Sequence, residues 1–583
     1  MPKRPERSSK AQPTTPAGWA LFLRWLAVGL LFVGGAVVIT WPLASELGEG
    51  IPLGTEAVAT VPLFNLWTLA WNVESAQRGY EGYWQAPIFH PTPDTFALSE
   101  PQPLAGLLAA CLCSLGFSIL SAYNLILLAF LALNGLLATA LLRRLGLGWI
   151  PALSGGALTL VLPFTHQELG VLQLVPLAGV LAFADAGFRF AEAPNLRRGL
   201  GLGVALAFAY WLSAQVAVFC ALAAIPAALG LGWSQLWRKD RGWVRIWGGL
   251  AAGVGLFFAL AAPLLVAQTR ATTDESRVRS LETVRKQSAL PQHYRLTPWS
   301  QQVSTPGIET AERPSARAFW PGSLKVLLAL AALAITWREP RWRRLAIVGS
   351  LVLGSAFLLS LGANLGVGES SLAGLLRLVP GLSQVRSFFR FALFAQLAVA
   401  FLAALALQRL GELAARRWDR RRAVAIGVLL ALAMVLELRP VPGKIQPMPP
   451  LDLELPWIDW IEDNTEASDA LAFVPFPEGR TSRDYLGTSQ WMYWQIRHWR
   501  PMVNGYSGFF PAQFRELKKT MGTFPANDAL LALRDAGVRY SIVHRSVIES
   551  SPPPDPNGPV KLRAVFRDEE HGLVIFELAD AGL

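Results

Sequence analysis

The sequence predicts a polytopic α-helical membrane protein with about eleven transmembrane helices, followed by a C-terminal extracytoplasmic α/β domain. Two observations support this prediction. Of the 583 residues, 52% are hydrophobic and only 16% are charged, whereas soluble domains carry about a quarter charged residues. The apolar residues also fall into runs of roughly 16–23, long enough to cross a hydrocarbon core of about 30 Å as helices.

The net charge of +11 follows from membrane topology and does not indicate a nucleic-acid partner. Most Lys and Arg residues lie in short segments between apolar runs, and such basic loops face the cytoplasm. Clear examples are Arg143-Arg144, 237–245, 338–344 and 416–422. We therefore expect a multi-pass protein of the bacterial inner (cytoplasmic) membrane, with a cytoplasmic N-terminal tail over 1–17 and the C-terminal domain outside.

The predicted transmembrane domain covers 18–439. Its spans are expected near 18–43, 121–142, 149–164, 171–190, 199–213, 215–232, 246–267, 321–337, 345–362, 389–409 and 423–438. The apolar stretch 103–118 is predicted to be a re-entrant or surface helix, because a full span there would place Arg143 and Arg144 outside. The alternation then leaves three large outside loops, at 44–102, 268–319 and 363–388.

Residues 440–583 have shorter apolar runs and frequent turn signals, which are typical of a small mixed α/β domain. Strands are predicted over 470–477, 537–544 and 573–580, and a helix over 527–537 that ends at Gly537. The linker over 440–452 carries four prolines.

The predicted spans contain few ionisable residues, whereas a transporter usually has polar groups near the middle of the membrane. Polar residues gather instead in the outside loops, which favours surface chemistry on a lipid-borne substrate. The three cysteines, Cys111, Cys113 and Cys220, lie in apolar runs and offer neither metal-ligand spacing nor a disulfide framework.

Several stretches of the chain carry a family resemblance. They are "GTEAVATVPLFNLWTLAWN" (54–72), "YWQAPIFHPTPDTFALSEPQPL" (83–104), "THQELGVLQLVP" (165–176), "LLRLVPGLSQVRSFFRF" (375–391) and "RHWRPMVNGYSGFFP" (497–511). Together with the layout of spans and loops, they resemble the GT-C superfamily of membrane glycosyltransferases, and more narrowly bacterial polytopic proteins with a GT-C-like core.

The resemblance implies a polyprenyl-phosphate sugar as donor and an acidic residue in the first outside loop. The matching residue is Glu56, in Gly54-Thr55-Glu56, where Asp is commoner in the family. Glu56 is expected to be the general base that accepts the proton of the acceptor hydroxyl. The alternative is a carboxylate that caps the following helix, and Glu74 is a weaker rival for the base.

Glu100 and His90 are the next candidates, because prolines stiffen the loops that carry them. Glu100 is expected to assist catalysis by binding a metal or the acceptor, and His90 to contact the donor phosphate. Their alternatives are a cap for a helix beginning at Pro101 and an ordinary surface histidine. His166 and Gln173 are expected to bind substrate at the outer end of a span pair, or else to be interfacial polar residues.

Arg386 and Arg390 are expected to bind the donor phosphate, because guanidinium groups bind phosphate oxygens in a bidentate manner. The alternative is a pair of lipid anchors at the interface. Phe64, Trp67 and Trp71 follow helical spacing. Trp71 is a candidate for stacking on a sugar, but a stripe lying on the membrane is the favoured interpretation.

The sequence thus favours a glycosyltransferase that transfers a sugar from a polyprenyl phosphate to an envelope glycan, lipid or protein outside the membrane. Two alternatives stay open. A lipid-linked glycan flippase or exporter predicts polar residues in mid-span. A non-catalytic envelope-assembly scaffold predicts that Glu56, Glu100 and Arg386 do not converge. No cofactor is certain, and a divalent metal ion is left open.

Overall fold

The computed structural model describes residues 18–236, 241–272, 280–297, 301–303, 309–310, 317–366, 382, 385–440 and 443–580. The predicted tail over 1–17 and most of the predicted loop 363–388 lie outside these residues.

Most of the described chain is helical. The helices are α1 (Gly18–Ile39), α2 (Thr60–Gln77), α3 (Pro103–Ser114), α4 (Ile119–Arg144), α5 (Trp149–Leu160), α6 (Pro163–Gln167), α7 (Ala178–Glu192), α8 (Leu196–Leu212), α9 (Ala214–Leu236), α10 (Arg241–Ala271), α11 (Leu281–Lys286), α12 (Ser323–Thr336), α13 (Pro340–Leu361), α14 (Ala392–Arg417), α15 (Arg420–Leu436), α16 (Pro456–Asn464), α17 (Leu486–His498), α18 (Ala512–Thr520), α19 (Asn527–Asp535) and α20 (Arg545–Ser550). The strands are β1 (Gly50–Pro52), β2 (Leu296–Thr297), β3 (Gln301–Val303), β4 (Glu309–Thr310), β5 (Leu438–Pro440), β6 (Ile445–Pro447), β7 (Ala470–Val474), β8 (Val538–His544), β9 (Val560–Asp568) and β10 (Leu573–Asp580).

The chain is a multi-pass membrane protein, and each of the eleven predicted spans coincides with a helix. Seven helical segments of the described chain are long and apolar enough to cross a membrane. The other four, α5, α8, α12 and α15, have 12, 17, 14 and 17 residues. The span Phe388–Arg417 is 89% buried, against 17% for α1, so it lies at the centre of the helical domain.

Helix α3, in the segment predicted to be re-entrant or superficial, has 12 residues. At 1.5 Å per residue it is roughly 18 Å long, which is short of the hydrocarbon thickness. One face packs on α2, where Gly106 abuts the side chain of Asn72. Leu107 and Leu108 on another face are exposed.

The two ends of the helical domain differ in chemistry. At one end Asn124, near the start of α4, donates to the carbonyl oxygens of Leu47 and Gly50, so this end faces β1. At the other end, basic side chains tie the loops together. Arg341 donates to the carbonyl of Leu145 at 2.8 Å, and further arginines pair with acids there. This separation fits the arrangement that basic loops predict.

The C-terminal region contains a four-stranded sheet with the order β7-β8-β10-β9. β7 and β8 are parallel, and the other two pairs are antiparallel. The three predicted strands and the predicted helix are confirmed, with Gly537 following the helix at φ +78°. β9 was not predicted, because three basic side chains interrupt its apolar residues.

The segment 44–102, predicted to be the first outside loop, and the C-terminal sheet share one hydrophobic core. Trp67 is 1% and Trp71 5% exposed. The indole Nε1 of Trp67 donates to Gln495 at 3.0 Å, and the ring of Trp71 lies 5.3 Å from that of Trp499. The prediction that this stripe lies on the membrane is therefore wrong. Sequence spacing identified an apolar face but could not show that a segment more than 400 residues away covers it.

Candidate functional site

Two loops meet at the end of the helical domain that faces the C-terminal sheet. The first follows β1, which pairs with β6, and carries Glu56. The second follows α6 and carries Glu168. The backbone N–H and the hydroxyl of Thr55 both donate to the carbonyl oxygen of Gln167, at 2.9 and 3.0 Å. The two carboxylates therefore project from loops that are joined by hydrogen bonds.

Gly54 and Gly170 allow this close approach. Gly54 has φ +58°, and a Cβ atom there would lie 2.7 Å from the carbonyl oxygen of Gln167. A Cβ on Gly170 would lie 2.5 Å from the carbonyl oxygen of Leu53. Real Cβ atoms are not found this close to backbone atoms, so both positions require glycine.

The carboxylate of Glu56 is available for chemistry. It makes no hydrogen bond or ion pair with any described residue, and it is only partly exposed. The N-cap of α2 is Ala59, without a side-chain cap, so Glu56 does not cap that helix. Burial, followed by the negative charge of Glu168, raises the pKa of Glu56 to about 7, against the lowering effects of Arg390 and Arg386. A carboxylate with this pKa suits general base catalysis at neutral pH.

Glu168 is the functional candidate that the sequence analysis missed. Its exposure is 8%, and burial raises the pKa of its carboxyl group. It is the one carboxylate within the quoted stretch 165–176, which lies between two apolar runs. A charged residue in such a stretch is seldom buried without a partner, and this signal would have identified it.

Glu100 binds the start of helix α9 instead of a helix beginning at Pro101. Its Oε2 accepts a hydrogen bond from the Ser213 hydroxyl at 3.0 Å, and its Oε1 accepts one from the backbone N–H of Gln215 at 2.9 Å. Helix α3 begins at Pro103, and its N-cap Gln102 makes no side-chain cap. Because both of its oxygens are occupied, Glu100 is better suited to positioning than to accepting a proton.

Arg390 connects the three carboxylates. Its Nη1 donates to Gln215 Oε1 at 2.5 Å, and its Nη2 lies 3.9 Å from Glu168 Oε2. It also interacts electrostatically with Glu100 and Glu56. Its Nε is buried and has no hydrogen-bond partner among the described residues, so one donor of the guanidinium group is left for a ligand.

Arg386 and Tyr506 complete a group of side chains that we call the cluster. Its other members are Glu56, Glu100, Glu168 and Arg390. Arg386 is exposed and makes no ion pair within the described chain, and its charge acts on both Glu56 and Tyr506. Tyr506 comes from the C-terminal region, and its ring lies 5.6 Å from that of Phe64 at the start of α2. Its hydroxyl donates to none of the described residues, and burial raises its pKa. The C-terminal region thus contributes a side chain to the cluster.

The structure places the remaining sequence candidates elsewhere. His90 donates its backbone N–H to the carbonyl of Met502, and its ring lies beside Gly537 of the C-terminal region. His166 is 2% exposed, its Nε2 lies 3.2 Å from the carbonyl of Leu160, and burial lowers its pKa to about 4. Trp71 belongs to the shared core. No hydrogen bond or ion pair within the described chain joins these residues to the cluster.

Gln173 lies in a short 3-10 helix, and its Oε1 is buried without a hydrogen-bond partner in the described chain. No hydrogen bond in the described chain joins it to Arg390 or Glu56. For a metal, the described residues contain no group of three or more His, Cys, Asp or Glu side chains arranged as ligands.

Comparison with solved structures identifies proteins with a similar fold. No protein-family model matches the chain, and a search of curated proteins gives no significant match. Among solved structures, the arabinofuranosyltransferase AftD from Mycobacteria matches over 95% of this chain, with a TM-score of 0.53 and 16% identity. ArnT from Cupriavidus metallidurans matches over 96% of this chain and 98% of its own, with a TM-score of 0.43 and 12% identity. The chain spans about two fifths of the length of AftD, since 40% of that chain is covered. The chain has the GT-C-like fold of a polytopic membrane protein that its sequence resemblance predicts.

Proposed function

We propose that this chain is an integral membrane glycosyltransferase that transfers a sugar from a polyprenyl-phosphate donor to an envelope acceptor on the extracytoplasmic side. The observation that carries the proposal is the unpaired carboxylate of Glu56 beside Arg390 and Arg386. A base and two phosphate-binding cations are the groups that this transfer requires. The likeness to an arabinofuranosyltransferase supports the same class of fold.

In the proposed reaction, an acceptor hydroxyl attacks the anomeric carbon of the donor sugar while Glu56 takes its proton. The bond between that carbon and the phosphate oxygen breaks, and the polyprenyl phosphate leaves with the electron pair. Arg390 and Arg386 stabilise the negative charge on the leaving phosphate. Glu100 acts as a positioning residue, because it accepts a hydrogen bond from the backbone of Gln215, and the side chain of Gln215 accepts one from Arg390.

The same arrangement favours an enzyme over the two alternatives. A scaffold predicts that the candidate residues do not converge, whereas Arg390 interacts with Glu56, Glu100 and Arg386. A flippase predicts a polar cavity in mid-membrane. The helical domain has a cavity of about 320 Å³, and its lining is apolar, with residues such as Leu181, Phe188 and Leu397. That lining supplies no groups that would carry a sugar across.

The test is transfer by the full-length protein in lipid nanodiscs, with a panel of radiolabelled polyprenyl-phosphate sugars and membrane extracts as acceptors. Glu56→Gln is expected to reduce the rate at least 100-fold, at the low end of what a general base contributes. Glu74→Gln is the matched control, because Glu74 lies on helix α2, away from the loop of Glu56, and pairs with Arg78. Full activity of Glu56→Gln, with Glu74→Gln also active, contradicts the proposal.

A further inference from the structure

A loop of the C-terminal region is hydrogen-bonded to the start of helix α2, close in sequence to Glu56. The hydroxyl of Thr60, at the start of α2, donates to the carbonyl oxygen of Ser482 at 2.7 Å. Thr60 is only four residues from Glu56. The loop around Ser482 is therefore fixed near the segment that carries the proposed base.

The loop and the neighbouring helix α18 carry an excess of positive charge. Residues 478–484 and 512–519 contain five Lys and Arg residues and three carboxylates. We call four of the cations the basic rim: Arg480, Arg483, Lys518 and Lys519. Arg480, Arg483 and Lys519 are exposed and form no ion pair in the described chain.

The nearest acid, Asp484, interacts with Lys518 but neutralises the basic rim only in part. The Oδ2 of Asp484 accepts hydrogen bonds from the backbone N–H and the hydroxyl of Thr481, both at 2.7 Å. It therefore closes the turn of its own loop. Glu478 and Glu516 are exposed and leave the net charge of the two segments positive.

Aromatic rings connect the basic rim to the cluster. Lys518 Nζ donates to the hydroxyl of Tyr485 at 3.1 Å. The ring of Tyr485 lies 5.5 Å from that of Tyr506 and 5.0 Å from that of Phe510. Tyr506 interacts electrostatically with Glu56 and Arg386, and both it and Phe510 are partly exposed.

We infer that the basic rim and these rings bind an anionic glycan as the acceptor and present its hydroxyl to Glu56. The inference rests on the proposed function and adds the chemical class of the acceptor. Arginine and lysine side chains bind the carboxylate or phosphate groups of such a chain. Partly exposed aromatic rings offer flat apolar surfaces for the faces of its sugars.

The experiment measures binding of a fluorescent oligogalacturonate to the full-length protein in nanodiscs of neutral lipid, with a neutral glucan oligosaccharide of equal length for comparison. Oligogalacturonate is expected to bind and the glucan to bind at least tenfold more weakly. Arg480→Gln/Arg483→Gln is expected to weaken oligogalacturonate binding about tenfold, because it removes two exposed cations of the basic rim. Added salt should reduce the difference.

The matched control is Arg563→Gln/Arg567→Gln, which removes two exposed arginines from strand β9. Equal binding of the two oligosaccharides, or equal losses in the two double variants, overturns the inference. A second arm repeats the measurement in nanodiscs that contain phosphatidylglycerol. If the Arg480→Gln/Arg483→Gln effect occurs only with this lipid, the rim binds headgroups and the inference fails. Glu56→Gln should retain oligogalacturonate binding, so loss of the acceptor assignment is distinguishable from loss of the proposed catalysis.

Discussion

Thr55 and Gln167 hold together the two loops that carry the acids of the site, because the N–H and hydroxyl of Thr55 both donate to one carbonyl oxygen of Gln167. Removing the hydroxyl alone tests how much the base depends on this link. We expect Thr55→Val to reduce transfer, and to lower stability by about 1 kcal/mol through the lost buried hydrogen bond. Thr55→Ser keeps the hydroxyl and should behave nearly as the unchanged protein. Transfer rates and thermal unfolding in detergent provide the measurement, and equal behaviour of the two variants contradicts the role of the link.

A comparison of Gly54 and Gly79 distinguishes the backbone strain of replacing a glycine from the steric clash of the added Cβ atom. Both have positive φ, +58° and +63°, but only Gly54 is crowded by backbone atoms. Gly79→Ala meets nothing within 4 Å and should cost only about 1 kcal/mol of backbone strain. Gly54→Ala must also displace the loop of Gln167. We expect a clearly larger fall in Tm and a loss of transfer that Gly79→Ala does not show. Similar Tm values for the two variants would rule out a tight contact between the loops.

The sequence predicted the helical architecture well, because a membrane span is determined by local features. These are the length of the apolar run and the charges of the loop that follows it. Glu56 and Arg390 could be proposed because each lies in a short stretch with a family resemblance. Their meeting could not be derived, since the residues between them number more than 300. The prediction for Trp67 and Trp71 was wrong for the same reason. Periodicity identifies an apolar face but not the element that covers it.

Glu100 illustrates a different limit. Its sequence context, beside Pro101 and Pro103 and before a predicted helix, suggested either a catalytic role or a local cap. The structure gives a cap, but of α9, where the N–H of Gln215 that it accepts lies 115 residues away. Local sequence rules assign capping residues to the next helix along the chain, so a cap supplied across the fold is outside their reach.

The stability of the protein should depend on pH through Glu56. Its folded-state pKa of about 7 lies above the ordinary value of 4.5, so between these values the unfolded chain releases the proton more readily than the folded one. Stability from this residue is therefore fully present below pH 4.5 and is lost as pH rises through 7. We expect Glu56→Gln to be more stable than the unchanged protein at pH 8, and this advantage to shrink at pH 5. Melting temperatures across this range provide the test, and a constant difference contradicts it.

Arg386 should affect donor binding without affecting folding, because it is exposed and has no ion pair in the described chain. A charged hydrogen bond to phosphate contributes about 1.5–3 kcal/mol, so Arg386→Gln should raise the KM for the donor roughly tenfold or more. Arg386→Lys keeps the charge but loses the bidentate geometry, and an intermediate KM is expected. Arg563→Gln, on strand β9, is the control. An unchanged donor KM in Arg386→Gln would falsify the assignment of this arginine to the phosphate.

The pH dependence of transfer should reveal two charged residues that shift the pKa of Glu56 in opposite directions. If ionised Glu56 is the base, kcat/KM rises with pH, with a midpoint near its pKa of about 7. Glu168 raises that pKa and Arg390 lowers it. Glu168→Gln should therefore move the midpoint to lower pH, and Arg390→Gln should move it to higher pH. Both variants are expected to lose activity, since each removes a buried partner, but a purely structural defect would lower the whole profile without moving its midpoint in opposite directions. Midpoints that stay together in the two variants would show that the base is a group other than Glu56.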